Sequence, residues 1–514
     1  MSVTKAAQYN LRPPATSGRS YSYKVQAQHG VAKINGDRSK VVEFHIPCSA
    51  NTFLDQSQSY LQFKVRARSD VDLAANQVIA LDGTVASLIH RLEIYHGSNL
   101  LETIDNYNVL HTLLTDLTVD NTTRGGVMGA LMGSDETPTG TFGNPGSFTP
   151  GTPGSAVTVL NTATEPAATD VASSAGLISV NTAVTEIADY LTNNVVDKTV
   201  SSNFRKGVTV SNSGDDADVG FDQSNAAAFT TFCLPIALSA LLSPASKKYL
   251  PLFAMQADSL RLQLTLEDPA KALVCGTKKS AAVSKLEYEI ADMHYACQFV
   301  ELTSEVCGAI LQDGMANGGG ALRISSESYR GFETTQLEQD TAFSFQVPAR
   351  FSSVNSLYSC WRPSQVQNLS KRSLTGRVQP KGLKYQYRIG SNLVPSQRVD
   401  TPEQSLIEVL KTFNAVSSAN FQTSVTKTNW NQVADDIVTG TTNESKDQGS
   451  FCIGLETSLF ANANDIVDSG KQTISEVVQL EGEHKGIKGG ALVNTWARYD
   501  MAVIISDGLA TTVF

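Results

Sequence analysis

Four short motifs occur twice in this chain, in the same order, and this long-range repeat constrains the fold more than any other feature. Phe44-His45-Ile46-Pro47 returns as Phe345-Gln346-Val347-Pro348, and Gly97-Ser98-Asn99-Leu100 returns as Gly390-Ser391-Asn392-Leu393. Phe232-Cys233-Leu234 returns as Phe451-Cys452-Ile453, and Asp292-Met293 as Asp500-Met501. A single match of this length carries little weight. Four in one order, each in a similar local setting, point to two copies of one domain. The boundary is expected near Gly318-Gly319-Gly320, after a short helical linker over residues 304–316.

The periodic segments are strands. Tyr60-Leu61-Gln62-Phe63-Lys64-Val65-Arg66-Ala67 puts Leu61, Phe63, Val65 and Ala67 on one face, and residues 260–267 alternate in the same way. Residues 285–299 and 494–505 are longer β-rich runs. A period of two with one polar face describes antiparallel sheets that are wet on one side. Helical patterns are few. Residues 104–117 carry Leu110, Leu113, Leu114 and Leu117 on one stripe. Residues 401–413 open with Thr401 as N-cap, Pro402 at the first helical position and Gln404 closing a capping box, with Leu406, Leu410 and Phe413 as the expected apolar stripe. The fold class is all-β with short accessory helices.

The two copies differ in length at one place. Gly97 and Phe232 are 135 residues apart, Gly390 and Phe451 only 61, so the first copy carries 74 extra residues after its helix. Within that insertion, residues 133–158 hold 19 Gly, Pro, Ser or Thr among 26, and between Arg124 and Lys198 there are seven acids and no base. Such a segment is expected to project into solvent as a large loop. Residues 1–38 have the opposite sign: Lys5, Arg12, Arg19, Lys24, Lys33 and Arg38 against Asp37 alone, a net of +5. With Pro13-Pro14 and few aliphatics they read as an extended basic arm. Three readings of it stand side by side: a solvated terminus, contact with an anionic membrane or nucleic acid, and contact with a neighbouring subunit.

Over all 514 residues, 40 Lys+Arg stand against 50 Asp+Glu, a net of -10, which argues against coating bare nucleic acid over a broad surface. Only 18% of residues are charged, below the roughly 25% usual for soluble domains, as expected of a subunit packed on several sides. The chain opens without a signal-peptide pattern, and its most apolar stretch, residues 229–242, is interrupted by Pro235 and is too short to span a bilayer. Synthesis inside a cell without a signal peptide is the expectation. Seven Cys without a CxxC pair read as reduced, buried thiols.

Chemistry-bearing patterns are missing: no GxSxG, HExxH, Walker loop or GxGxxG follows a strand. Gly470-Lys471-Gln472-Thr473 lacks the hydroxyl directly after Lys that a P-loop requires. His90 and His96 lie six strand residues apart, roughly 20 Å, too far to share one zinc, so they read as half-buried sheet histidines. Asp215, Asp216, Asp218 and Asp222 read as solvated loop acids, their spacing unlike an EF-hand. Asn121, Asn368 and Asn443 fit the glycosylation pattern but have no secretory signal to go with it. No catalytic, cofactor-binding or metal-ligating residue is nominated, no cofactor is expected, and the chain reads as a non-enzyme.

Leu92-Glu93-Ile94 through Gly97, and on into Ile104-Asp105-Asn106-Tyr107-Asn108-Val109-Leu110, resembles the end of the fourth strand and the following helix of the double jelly-roll major capsid proteins. Leu234-Pro235-Ile236, then Tyr249-Leu250-Pro251-Leu252 and Gln256, is similar to their next strand, short helix and strand. This is the lineage of adenovirus hexons, nucleocytoplasmic large DNA viruses, virophages and polinton-like viruses. The resemblance covers about residues 40–514 and is greatest to the smaller polinton-like and virophage members. It implies two tandem jelly-roll β-sandwiches, with a basic arm at 1–38, the first jelly roll at 39–303 (inserted loop about 118–228), a linker at 304–320 and the second jelly roll at 321–514. It also implies a homotrimer whose six jelly rolls form a pseudo-hexagonal capsomer tiling an icosahedral virion shell. The insertion becomes an outward tower available to a host surface. The arm points inward, toward a membrane, a genome or a minor capsid protein, though it matches no family motif itself. Neighbouring capsomers, penton and minor capsid proteins are the further partners implied. A receptor- or carbohydrate-binding β-sandwich, fibre- or lectin-like, is the alternative; it expects aromatic platforms on loops, and the acidic insertion offers only Phe142, Phe148 and Tyr190.

Overall fold

A computed structural model of the chain describes residues 18–28, 33–36, 39–69, 78–133, 210–211, 230–243, 249–276, 286–317, 321–363, 374, 376–416, 421–426, 430–431, 449–458, 470–487 and 490–514. Four larger sheets form two β-sandwiches. In the first, one sheet sets Val41–Ile46, Leu260–Leu266, Ile89–His96 and Asn99–Asp105 side by side in that order. The facing sheet runs Arg19–Gln26, Leu286–Glu301, Thr52–Ser69, with Thr230–Leu234 also on Thr52–Ser69. The second sandwich repeats both orders: Ala342–Val347, Val478–Glu483, Lys384–Ile389, Asn392–Val399, and Leu322–Gln336, Ala491–Ser506, Val354–Pro363, Ile453–Glu456. Each named pair within these sheets is antiparallel. A helix follows the fourth sheet strand in both copies, Tyr107–Thr118 in the first and Pro402–Lys411 in the second.

Alternation decides which atoms leave water. Val42, Phe44 and Ile46 are fully buried while Val41, Glu43 and His45 between them are half-buried, and Leu260, Leu262, Leu264 and Leu266 are buried with Arg261, Gln263 and Thr265 between them half-buried. At about 25 cal/mol per Å² of apolar surface, each such side chain contributes about 1.5–3 kcal/mol to holding its sheet against the other. Large aromatics fill much of the second core, with Trp361, Trp496, Tyr358, Tyr385 and Tyr387 fully buried.

Strand pairing puts three of the four sequence repeats in register. Phe44 and Phe345 each face an inner-strand leucine (Leu262, Leu480). Those leucines face Ile94 and Tyr387, each two residues before the last strand residue ahead of the hairpin. The hairpins Gly97-Ser98 and Gly390-Ser391 both place glycine in the left-handed region, at φ 58° and 60°, as tight two-residue turns require. Leu234 and Ile453 also correspond. Phe299 and Tyr499 hold one position, facing Leu54 and Val354, and four residues earlier Tyr295 and Thr495 face Leu61 and Ser359, which pair with Leu234 and Ile453. The Asp-Met match is a coincidence within equivalent strands. Asp500 answers to Val300, eight residues past Asp292, which sits at a bulge with φ 51°.

Several expectations are corrected in detail. The strand Asn99–Asp105 runs through Ile104 and Asp105, which pair with Leu92 and Arg91; the helix starts only at Tyr107, after Asn106 turns the chain at φ 51°. The helix Pro402–Lys411 has its expected cap, Gln404 N–H donating to Thr401 Oγ1 at 3.2 Å, while the Gln404 side chain accepts from Asp400 N–H instead of Thr401. Its deeply buried positions are Ser405 and Val409, followed by Thr412, and Leu406, Leu410 and Phe413 are only half-buried. Arg19–Gln26, within the segment read as a free arm, pairs along its whole length with residues 294–301, and Lys33–Asn35 pairs with residues 289–291, because Tyr21 and Val25 add apolar surface to that sheet. The inserted segment does not begin as loop at 118: helical turns continue to Met132, which is buried. Val210–Ser211 forms a short parallel pair with Ala67 and Arg68. Most of the remaining insertion lies outside the described residues. The linker helix spans Ser304–Asn317. No helix among the described residues is long and apolar enough to cross a membrane.

Candidate functional site: the junction between the two sandwiches

The strand Asn99–Asp105 ends its own sheet, yet Leu101, Glu102, Thr103 and Ile104 are all buried. They are covered by the second sandwich, against the strand Leu322–Gln336 and the C-terminal strand Leu509–Val513. Their open edge is thereby closed within the molecule.

Polar groups fix the register of this contact. Ser328 Oγ, from the second sandwich, donates to Glu102, which also accepts from Ser239 Oγ at 2.6 Å and Ala240 N–H at 2.8 Å. Trp496 Nε1–H donates to the Asp105 carbonyl at 3.2 Å, over Gly331, where a Cβ would stand 2.9 Å from that same oxygen. Glycine is needed here for the close approach of the two backbones. Ala510 N–H donates to His96 Nδ1 at 3.1 Å, which places the ring proton on Nε2, facing the carbonyls of Met255 (3.1 Å) and Asp258 (3.2 Å). Asp82 accepts from Leu374 N–H.

The densest cluster surrounds Asp116 on the helix Tyr107–Thr118. Its carboxylate accepts from Arg124 Nη1 and from the fully buried Arg377 Nη2 of the second sandwich, and Ser424 N–H and Thr423 Oγ1 donate to its carbonyl at 3.0 and 2.9 Å. Arg124 also donates to Ser424 Oγ at 3.1 Å. Buried charges cost several kcal/mol each to dehydrate, so a pair of this kind sets geometry more than it adds net stability. Chemically the junction is a lock.

Burial pushes the Glu102 carboxyl above the usual carboxylate range, opposed by its hydrogen bonds to Ala240, Ser239 and Ser328. A raised folded-state pKa adds stability that is complete below the unfolded value and is lost as pH rises through the folded one. Junction stability should therefore fall as pH rises above the ordinary glutamate range. Glu102→Gln should flatten that decline in unfolding midpoints measured from pH 5 to 9, and an unchanged slope would refute the assignment.

Residues singled out from sequence fall elsewhere. His90 Nδ1 lies 3.1 Å from Glu267 Oε2, and His90 and His96 are buried, not half-buried, each engaged separately. Burial works against the Glu267 carboxylate, but its hydrogen bond to His90 and the electrostatic attraction of that ring outweigh it, helped by Asp268 N–H and Asn108, and hold it at about 2. Lys471 pairs through its backbone with Val354 and through Nζ with Glu476 at 3.3 Å, an ordinary sheet contact. Asp215, Asp216, Asp218 and Asp222 lie outside the described residues, as do Asn368 and Asn443. Cys48, Cys233, Cys297, Cys307, Cys360 and Cys452 are free thiols. Among the described residues no three His, Cys, Asp or Glu converge as metal ligands would. Sequence reasoning passed over Glu102, Asp116 and Arg377. The one available signal was an acid inside each apolar run, Leu100-Leu101-Glu102-Thr103-Ile104 and Leu113-Leu114-Thr115-Asp116-Leu117.

No family model matches this chain, and no curated protein matches it in sequence. Solved structures match nearly end to end. A chain of the Sputnik virophage structure superposes with a TM-score of 0.51 at 12% identity, covering 96% of this chain and 88% of that one. The mavirus major capsid protein gives 0.50 at 11% identity, over 100% and 94% of the two chains. A chain of the PBCV-1 virus capsid model gives 0.50 at 9% identity, over 98% of both. At these identities the likeness is one of fold, and with two four-stranded and two larger sheets repeated in order, this chain has the double jelly-roll fold of those capsid structures.

Proposed function

We propose that this chain is a viral major capsid protein that self-assembles as a trimeric, pseudo-hexagonal capsomer of an icosahedral shell. The observation that carries the reading is the junction: two copies of one sandwich are locked side by side by Asp116, Arg377, Glu102 and Trp496, and the same double fold recurs end to end in virus capsid chains. A rigid pair of near-equivalent units lets a threefold trimer take a near-sixfold outline, which one gene product can tile by closed symmetry. Contacts between trimers can then be individually weak, since many act together. The role is structural and not catalytic. Its place is the virion, its partners are neighbouring capsomers with penton and minor capsid proteins, and the division into a first jelly roll that takes in the strand Arg19–Gln26, a linker and a second jelly roll stands as part of this proposal. Contact of the basic N-terminal residues with a membrane or genome, and of the acidic insertion with a host surface, belong to it as well.

Size-exclusion chromatography with light scattering should give a stable particle of about 165 kDa, three times 55.0 kDa, with hexagonal outlines in negative stain. A lasting monomer would sink the proposal.

A further inference from the structure

The linker helix Ser304–Asn317 does more than connect the two sandwiches. With the short helical turn Leu252–Ala254 of the first and the start of the strand Leu322–Gln336 in the second, it surrounds a cavity of about 290 Å³. Phe253, Ala254 and Ile505 are buried in its walls, and Leu311 and Leu322 are half-buried beside them. These five side chains are all hydrocarbon. None of them takes part in the polar contacts that lock the junction.

The rim has the opposite character. Asp507 lies in the turn between the strands Ala491–Ser506 and Leu509–Val513, with φ at 52°. It is exposed, and its carboxylate makes no hydrogen bond or ion pair among the described residues. Gln256 donates through Nε2 to the Phe253 carbonyl at 2.8 Å, which leaves its amide oxygen as an acceptor. Ala257 N–H donates to the Gly508 carbonyl at 3.2 Å and ties the two sides of the rim together. No Lys, Arg or His lines the cavity.

Apolar walls below an acceptor rim select a ligand with a hydrocarbon tail and a donor head. An ammonium carries three donors and no acceptor, the complement of a carboxylate and an amide oxygen, whereas an anionic head would meet Asp507 with like charge. Size narrows the tail. An apolar cavity of about 150 Å³ takes up one benzene, so this one has room for about twelve carbons, and the stem of a lysine side chain would fill about a third of it. We propose that the cavity binds a single-chain primary alkylammonium, its tail against Phe253, Leu311, Leu322 and Ile505 and its head on Asp507 and Gln256. Such a ligand touches the linker and both sandwiches, so by mass action it strengthens their union. The site is complete within one chain and does not rest on the capsid reading.

The test is isothermal titration calorimetry of the full chain with n-octylammonium below its micellar concentration. Binding should be one to one, and from butylammonium to octylammonium each added methylene should tighten it about two- to fourfold. Octylammonium should bind about three- to tenfold more tightly than n-octanol, and n-octanoate should bind more weakly than either. Asp507→Asn keeps a residue that tolerates this backbone conformation and should erase the preference for the ammonium over the alcohol. Ala321→Phe, which adds a ring to the lining, should weaken octylammonium about tenfold or more at an unchanged melting temperature. The proposal is overturned by any of three results: affinity that does not depend on tail length, octanoate binding as tightly as octylammonium, or an Asp507→Asn protein that keeps the ammonium preference. Nα-acetyl-lysine methylamide should bind no more tightly than butylammonium. If it outdid octylammonium, the cavity would belong to a lysine of a partner protein and the alkylammonium assignment would fall. Should Ala321→Phe fail to fold, the tail series and Asp507→Asn decide the matter alone.

Discussion

Asp116→Ala is expected to cost about 3–5 kcal/mol, because it leaves the charges of Arg124 and the fully buried Arg377 without their carboxylate. For a chain of this size that corresponds to a fall in melting temperature of roughly 3–5 °C. The damage should be concentrated between the sandwiches, since Arg377 belongs to the second and Asp116 to the first. Hydrogen exchange should accelerate at Ser424, whose amide donates to the Asp116 carbonyl, before it accelerates in the strand Leu260–Leu266. Asp116→Asn keeps an acceptor and loses the charge, so its loss should be smaller. If Asp116→Ala left the unfolding midpoint unchanged, the cluster would not be what holds the two halves.

Gly331→Val tests the same lock by volume. Its Cβ would stand 2.9 Å from the Asp105 carbonyl and 3.0 Å from Trp496 Nε1, atoms that already bond each other across the junction. Overpacking of this kind costs about 1–3 kcal/mol, and the upper end is expected because a backbone oxygen cannot swing aside. Differential scanning calorimetry should show the single transition split or broaden as the sandwiches uncouple. Gly331→Ala should show the same effect more weakly. A valine variant that melts as sharply and as high as the parent would show that the two backbones have room to part without loss.

Much of the double β architecture was legible because alternation is local. Phe44, Leu61, Phe63 and Leu262 point inward for the same reason wherever the strand goes, and a repeated motif is visible without coordinates. Legibility ended where a residue's surroundings come from another part of the chain. The stripe of Leu406, Leu410 and Phe413 is the most apolar side of its helix, yet the residues driven deepest are Ser405, Val409 and Thr412. Helical periodicity ranks the faces by polarity and is silent about which face the sandwich offers a seat. The Asp-Met repeat failed for a related reason, since a bulge at Asp292 and a free choice of register separate equivalent strands from equivalent positions.

The amino-acid sequence by itself determined that the chain folds as β-strands in two similar copies, with a long acidic insertion in the first and a basic N-terminal segment. These follow from periodicity, composition and order, which are properties of neighbours along the chain. Only the tertiary structure decided that Arg19–Gln26 is a sheet strand and that the copies are locked together. Asp116 meets Arg377 across 261 residues of sequence, and His96 meets Ala510 across 414. Contacts so remote leave no periodic trace, because each partner's local pattern is satisfied whether or not the other arrives.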